Sequence, residues 1–95
     1  MSFSWDARKS AANLAARGFD YAFASLIFDG PTLEKEDRRR DYGERRIVAI
    51  GLAQGIALTV VYTDRRRAGQ DTERRIISAR RSNRHERHAF EAALR

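Results

Sequence analysis

Seventeen consecutive residues without a charge, 47–63 (IVAIGLAQGIALTVVYT), lie in the middle of a chain in which 34% of residues are charged. A run this apolar must be buried, either in a bilayer or in a core. A spanning helix needs roughly 20 such residues. This run is shorter, is cut by Gly51, Gln54 and Gly55, and is rich in β-branched side chains. The pattern predicts a hairpin of two buried strands, residues 45–52 and 56–64, flanking Ala53-Gln54-Gly55 as a three-residue turn that ends in glycine. In that register Leu52 faces Ile56, Ile50 faces Leu58, Val48 faces Val60, and Arg46 faces Tyr62. The first three pairs make a core face, and the fourth puts a cation and a phenol at its rim. The other face, with Arg45, Ala49, Thr59 and Thr63, is more polar, so helices are expected over the first.

The flanking sequence supplies those helices. Phe3-Ser4-Trp5 alternates apolar and polar and reads as a short strand, with Trp5 packing under the sheet. Asp6 is an N-cap, the alanine-rich stretch to Arg17 is helix, and Gly18 is its left-handed stop. Asp20 repeats the capping signal ahead of a second helix over residues 21–28, which Gly30-Pro31 ends. Residues 30–44 are polar and mixed in charge. They read as a loop, with an edge strand near 32–34, and loops this long in compact domains are often functional. Residues 65–72 form a polar turn, and 73–81 a third long strand whose closing Arg80 and Arg81 point to opposite faces. Asn83 and Glu86 form a capping-box signature for a last helix with Phe90 and Leu94 as its apolar contacts. The whole is one α+β domain, residues 1–95, with helices on an antiparallel sheet.

Charge narrows the function. Nineteen Lys and Arg stand against thirteen Asp and Glu, a net charge of +6. Residues 65–95 alone hold ten cations and four anions. A field concentrated in this way attracts polyanions; a solvated basic face, or one that meets an acidic protein, is the other reading. Seventeen of the cations are Arg, which suits bidentate phosphate contacts and suits a GC-rich genome equally. With no Cys, disulfides, thiolate metal sites and a Cys nucleophile are excluded. His85 and His88, without further ligands, leave no metal centre or cofactor to be expected. No apolar run follows a basic start, so a soluble cytoplasmic protein with no membrane partner is expected.

What remains is arginine at a sheet edge beside Glu44, Tyr62 and Glu86. Such a set suits RNA cleavage without a metal. The ribose 2′-OH attacks its own phosphate while one group takes the proton, another protonates the leaving oxygen, and cations hold the charge on the phosphorane. Arg80, which ends a strand, is the first candidate for the scissile phosphate, unless it serves in a salt bridge to Glu44 or Glu73. Arg46 is the second. Glu44 is a candidate general base or a neutralising partner of Arg46, and Tyr62 a stacking, catalytic or packing group. Arg45, Arg81 and Arg84 are candidates for steering phosphates, and Lys9 faces either the same groove or water.

The order of the residues also carries a resemblance. Phe3, Trp5, Asp6, Lys9 and Asn13 open the chain, followed by Gly18-Phe19, Phe28-Asp29 and Pro31. Then come Tyr42-Gly43-Glu44 with Arg46, Ile50-Gly51, and Val60-Val61-Tyr62-Thr63. Arg75-Ile76-Ile77-Ser78-Ala79-Arg80-Arg81, followed by Glu86-Arg87, is the most specific block. In this order the chain resembles the BrnT toxins of bacterial type II toxin–antitoxin systems. The resemblance implies a RelE-like ribonuclease fold of two N-terminal helices on an antiparallel sheet with a C-terminal helix. It implies an endoribonuclease that arrests translation and growth. It also implies a BrnA-like antitoxin with a ribbon-helix-helix DNA-binding domain, operator DNA being bound only through that partner. A non-catalytic nucleic-acid-binding or interaction module is the alternative. One departure stands out: Ala16-Arg17 replaces the family's Lys-His, and an arginine cannot serve as a neutral base.

Overall fold

The computed structural model describes residues 1–66, 69 and 71–95. Strand β1 (Ser2–Trp5) leads into helix α1 (Ala7–Arg17) and a one-turn helix α2 (Tyr21–Ala24) that tightens into a 3-10 helix (Ser25–Asp29). Strands β2 (Leu33–Glu36), β3 (Ile47–Ala53), β4 (Ile56–Arg66) and β5 (Thr72–Arg81) follow, and helix α3 (Arg84–Ala93) closes the chain. The strands form one sheet in the order β1-β5-β4-β3-β2. It is mixed rather than antiparallel throughout, because β1 pairs parallel with β5.

Local chemistry sets the helix boundaries. The Asp6 carboxylate accepts from the backbone N–H groups of Arg8 and Lys9, at 2.8 and 3.2 Å, and Gly18 stops α1 at φ 85°. The buried positions of α1 are polar. Ser10 Oγ accepts from the Tyr21 N–H at 3.0 Å, and Asn13 donates to the Phe19 carbonyl at 2.9 Å. These bonds fix the turn between α1 and α2, whose own cap is Asp20, accepting from Phe23 N–H at 2.8 Å.

The central hairpin corrects the expected register by one residue. Its turn is two residues long, Gln54 and Gly55, both at positive φ (48° and 82°), the backbone that matches strand twist in a tight hairpin. Ala53 therefore pairs with Ile56, Gly51 with Leu58, Ala49 with Val60, and Ile47 with Tyr62. A one-residue slip turns every β3 side chain over. Ala49 and Ala53, not Val48 and Leu52, join Leu58, Val60, Tyr62, Ile76 and Ala79 in the core, under Phe19, Tyr21, Ala24 and Ile27. Leu52 is exposed, and Arg46 is not opposite Tyr62. Small β3 residues are required here because the 3-10 helix lies close above them. A Cβ on Gly51 would stand 2.9 Å from Ile27 Cβ.

Three other expectations are revised. The first strand of the hairpin begins at Ile47, so Arg45 and Arg46 belong to the preceding loop. The expected polar turn at 65–72 is shorter, since β4 runs to Arg66 and β5 starts at Thr72; its residues 67, 68 and 70 lie outside those described. On α3, Phe90 is buried but Leu94 is half exposed.

The second face of the sheet is covered only at its two ends. At one end α3 packs on β2 and β3, with Phe90 and Ile50 buried and the hydroxyls of Thr59 and Ser82 joined at 2.8 Å. At the other end the segment 37–46 lies across the strands, held by the Thr63 hydroxyl, which donates to the Arg45 carbonyl at 2.8 Å. A groove is left between them.

Candidate active site

The groove has a volume of about 370 Å³ where Lys35, Arg38, Arg39 and Arg80 surround Val48, Thr59, Val61 and Ser78, with Glu36, Asp37 and Glu86 among its walls. A second hollow of about 440 Å³ holds Lys9, Arg40, Tyr42, Arg46 and Ile77, and shares Arg39 and Ser78 with the first. Together they run across the sheet from Lys35 on edge strand β2 to Lys9 on α1. Seven cations line a path open to solvent.

Each cation is placed by an identifiable partner. Arg80 lies on the second face because Thr59, its partner across β4, does. Its guanidinium grips both oxygens of Glu86, at 2.7 and 2.8 Å. Neither of the partners expected from sequence, Glu44 or Glu73, holds it. Glu86 also accepts from the Asn83 N–H at 2.8 Å and completes the capping box of α3. The Arg80 guanidinium beside Glu86 lowers its carboxyl to about 2 and raises the arginine in turn. Glu86 therefore stays ionised, as an orienting anion rather than a proton donor.

Arg46 lies over the Tyr42 ring at 4.0 Å and donates to Glu44 at 3.2 Å. Glu44 is further approached by Arg65 at 3.9 Å. The Tyr42 hydroxyl donates to Asp37 at 3.1 Å. Asp37, its side chain 3% exposed, also accepts both arms of Arg39 at 2.9 Å. The Arg39 guanidinium holds the Asp37 carboxyl well below the usual range. One buried carboxylate thus organises an arginine-rich loop that its own charge would otherwise spread apart. Lys9 reaches the site through a β-bulge. The shift in register at Val61/Tyr62 leaves Ile77 without a cross-strand partner, and its carbonyl accepts from the Lys9 ammonium and the Tyr21 hydroxyl.

The structure therefore brings Arg80, Arg46 and Lys9 to one groove, with Glu44 against Arg46. Tyr62 is on the opposite face, 3% exposed. It sits between Arg74, at 4.0 Å, and the edge of Phe28, and its hydroxyl donates to Glu34 at 2.6 Å. Burial raises its pKa, and the bond to Glu34 adds to the effect. Arg45 pairs with Glu36 at 3.1 Å, and Arg81 lines a hollow beside Leu14, Phe19, Phe23 and Ile56 under the N-terminal helices. Arg84 is exposed in the first turn of α3. Lys35, Asp37, Arg39 and Tyr42 were missed as site residues because they fall in the long polar segment. The available signal was an aspartate heading a run of three arginines. Among the described residues no three His, Asp or Glu side chains converge as metal ligands, and no helix is long and apolar enough to cross a membrane.

The fold is a small mixed sheet with helices on both faces and an arginine-rich groove across one of them. Residues 5–86 match the family model of the ribonuclease toxin BrnT of type II toxin–antitoxin systems. The chain belongs to that family and is a ribonuclease toxin, whose targets and partners are RNA and a cognate antitoxin. Comparison with curated proteins finds no match.

Proposed function

We propose that this chain is a metal-independent endoribonuclease of RelE-like fold whose reaction takes place in the groove between α3 and residues 37–46. The observation that carries this reading is that Arg80 and Arg46 border one open trough linked by Arg39 and Ser78. A single-stranded backbone crossing the sheet meets guanidinium groups on both sides. Arg80, fixed by Glu86, and Arg46, fixed by Tyr42, hold the non-bridging oxygens of the scissile phosphate. Arg39 and Lys9 hold the phosphates that flank it. Guanidinium suits this role because its charge matches the oxygens that gain charge as the phosphorane forms. Glu44 takes the proton of the 2′-OH as that oxygen bonds to phosphorus. The bond from phosphorus to the 5′-oxygen breaks, and the departing oxygen takes a proton from water, which recovers one from Glu44 and restores the carboxylate. The products are a 2′,3′-cyclic phosphate and a 5′-hydroxyl. Tyr62, on the other face, is left out of the reacting set and acts as a core residue. Arg45, Arg81 and Arg84 steer RNA at longer range.

The physiological consequence is arrest of translation and growth in the cytoplasm. The antitoxin is a BrnA-like ribbon-helix-helix protein that carries the operator-binding function. Induced expression without a partner is expected to halt growth. Arg80→Ala should restore growth while leaving the fold intact and lowering cleavage by roughly 10²–10³-fold. Cleavage with the stated end groups should persist in EDTA. An Arg80→Ala protein as toxic as wild type would overturn the site. RNA left intact with bound protein, with or without EDTA, would favour a binding module.

A further inference from the structure

A pocket of about 220 Å³ opens between β2, β3 and α3. Leu33, Val48, Ile50 and Ala89 give it apolar walls, and Lys35, His85 and Glu86 stand at its rim. Lys35, Val48 and Glu86 also line the groove that holds Arg80, so pocket and groove adjoin. We propose that this pocket seats one unstacked nucleobase of the RNA strand whose phosphate lies on Arg80, and so selects where the strand is cut.

The proposal rests on the ribonuclease reading of the groove and adds a specificity subsite to it. The chemistry of the walls changes abruptly along the depression. Around Arg80 they are cationic and suit phosphate; next to it Leu33, Val48, Ile50 and Ala89 are aliphatic, and a phosphate set against them would lose hydration. A nucleobase has the complementary form, two apolar faces and a polar edge, and RNA is read in sequence through bases splayed out of the stack. The carboxylates nearby are already engaged. Glu34 accepts from Tyr62 at 2.6 Å and from Thr32 at 2.7 Å, and Glu86 accepts from Arg80 and Asn83. The Lys35 and His85 side chains make no hydrogen bond or ion pair with any described residue, so they are available to the edge of a base. The volume is below that of pockets for drug-sized ligands. It admits a ring system and not the apolar face of a partner helix.

The test uses a short single-stranded RNA that the wild-type protein cuts at one position, with an abasic nucleotide placed at each site in turn. One position beside the cut should lose cleavage about tenfold, the scale set by exposing the buried face of one base; the others should change little. Ala89→Leu, a helix-compatible residue that fills the pocket, should cut the parent RNA as slowly as the abasic one. It should no longer distinguish the two, at an unchanged melting temperature. The same series with a 2′-deoxy cut site, read by binding, separates the two claims. If wild type cleaves nothing yet binding still shows the abasic loss and Ala89→Leu abolishes it, the pocket stands and the nuclease reading fails. If Ala89→Leu keeps the rate and cut sites of wild type, or no abasic position matters, the proposal is overturned. It is equally overturned if Ala89→Leu alters only copurification with the cognate antitoxin, which would make the pocket a protein-docking site.

Discussion

At the scale of single residues, two carboxylates decide what the arginines can do. Glu86 is depressed to about 2 by its bidentate contact with Arg80. A carboxylate lowered on folding contributes stability that is present above its unfolded pKa and lost as pH falls through the folded value. Between about pH 4.5 and 2 the unfolding free energy of wild type should therefore fall with a component that Glu86→Gln lacks, as urea titrations at stepped pH would show. Equal slopes in the two proteins would mean that the pair does not act in solution. Asp37 has a different task. Asp37→Asn should release Arg39 and Tyr42, and through the ring of Tyr42 should loosen Arg46. Amide exchange should then speed up across residues 38–46 while the central strands keep their protection. Uniform protection in the variant would show that the loop is held by other means. That Arg80 leaves the core at a strand end is readable from alternation; that its partner is Glu86 is not, since the contact joins a strand to the helix folded back over it.

At the scale of elements, helix capping was legible and register was not. Asp6, Gly18, Asn83 and Glu86 mark helix boundaries because each acts on backbone groups a few residues away. The hairpin was placed correctly but read with one residue too many in its turn. Alternation from the expected register puts Ala49 on the more polar face, and the structure puts Ala49, Gly51 and Ala53 on the inward one. The 3-10 helix approaches that face closely enough to exclude larger side chains at Gly51. Gly51→Ala should accordingly cost about 1–3 kcal/mol through overpacking. Gly30→Ala, where nothing lies within 4 Å and φ is −132°, should stay within about 0.5 kcal/mol. Melting or urea curves on the pair test this directly, and a neutral Gly51→Ala would mean that the helix yields at little cost. The bulge at Ile77 is a further device without a sequence signature. It frees the carbonyl that draws Lys9 to the groove.

At the scale of the whole molecule, the sheet sorts the arginines. Arg81 and Arg74 fall on one face and Arg80, Arg46 and Arg39 on the other, so the groove gathers only part of the arginines. If Lys9, Arg39, Arg46 and Arg80 each neutralise a phosphate, log affinity for non-cleavable RNA should fall against log salt with a slope of roughly −3. Arg39→Ala should reduce that slope by about 0.7, and Arg81→Ala should leave it unchanged; equal effects of the two would place the strand elsewhere. The sequence by itself determined the class of fold, most element boundaries, the basic character and the family likeness, because these depend on composition, short-range capping and the period of hydrophobicity. Which cations share a groove was decided only by tertiary structure: one residue more or less in the turn and one bulge in β5 determine which face a side chain meets, and no local signal carries that count.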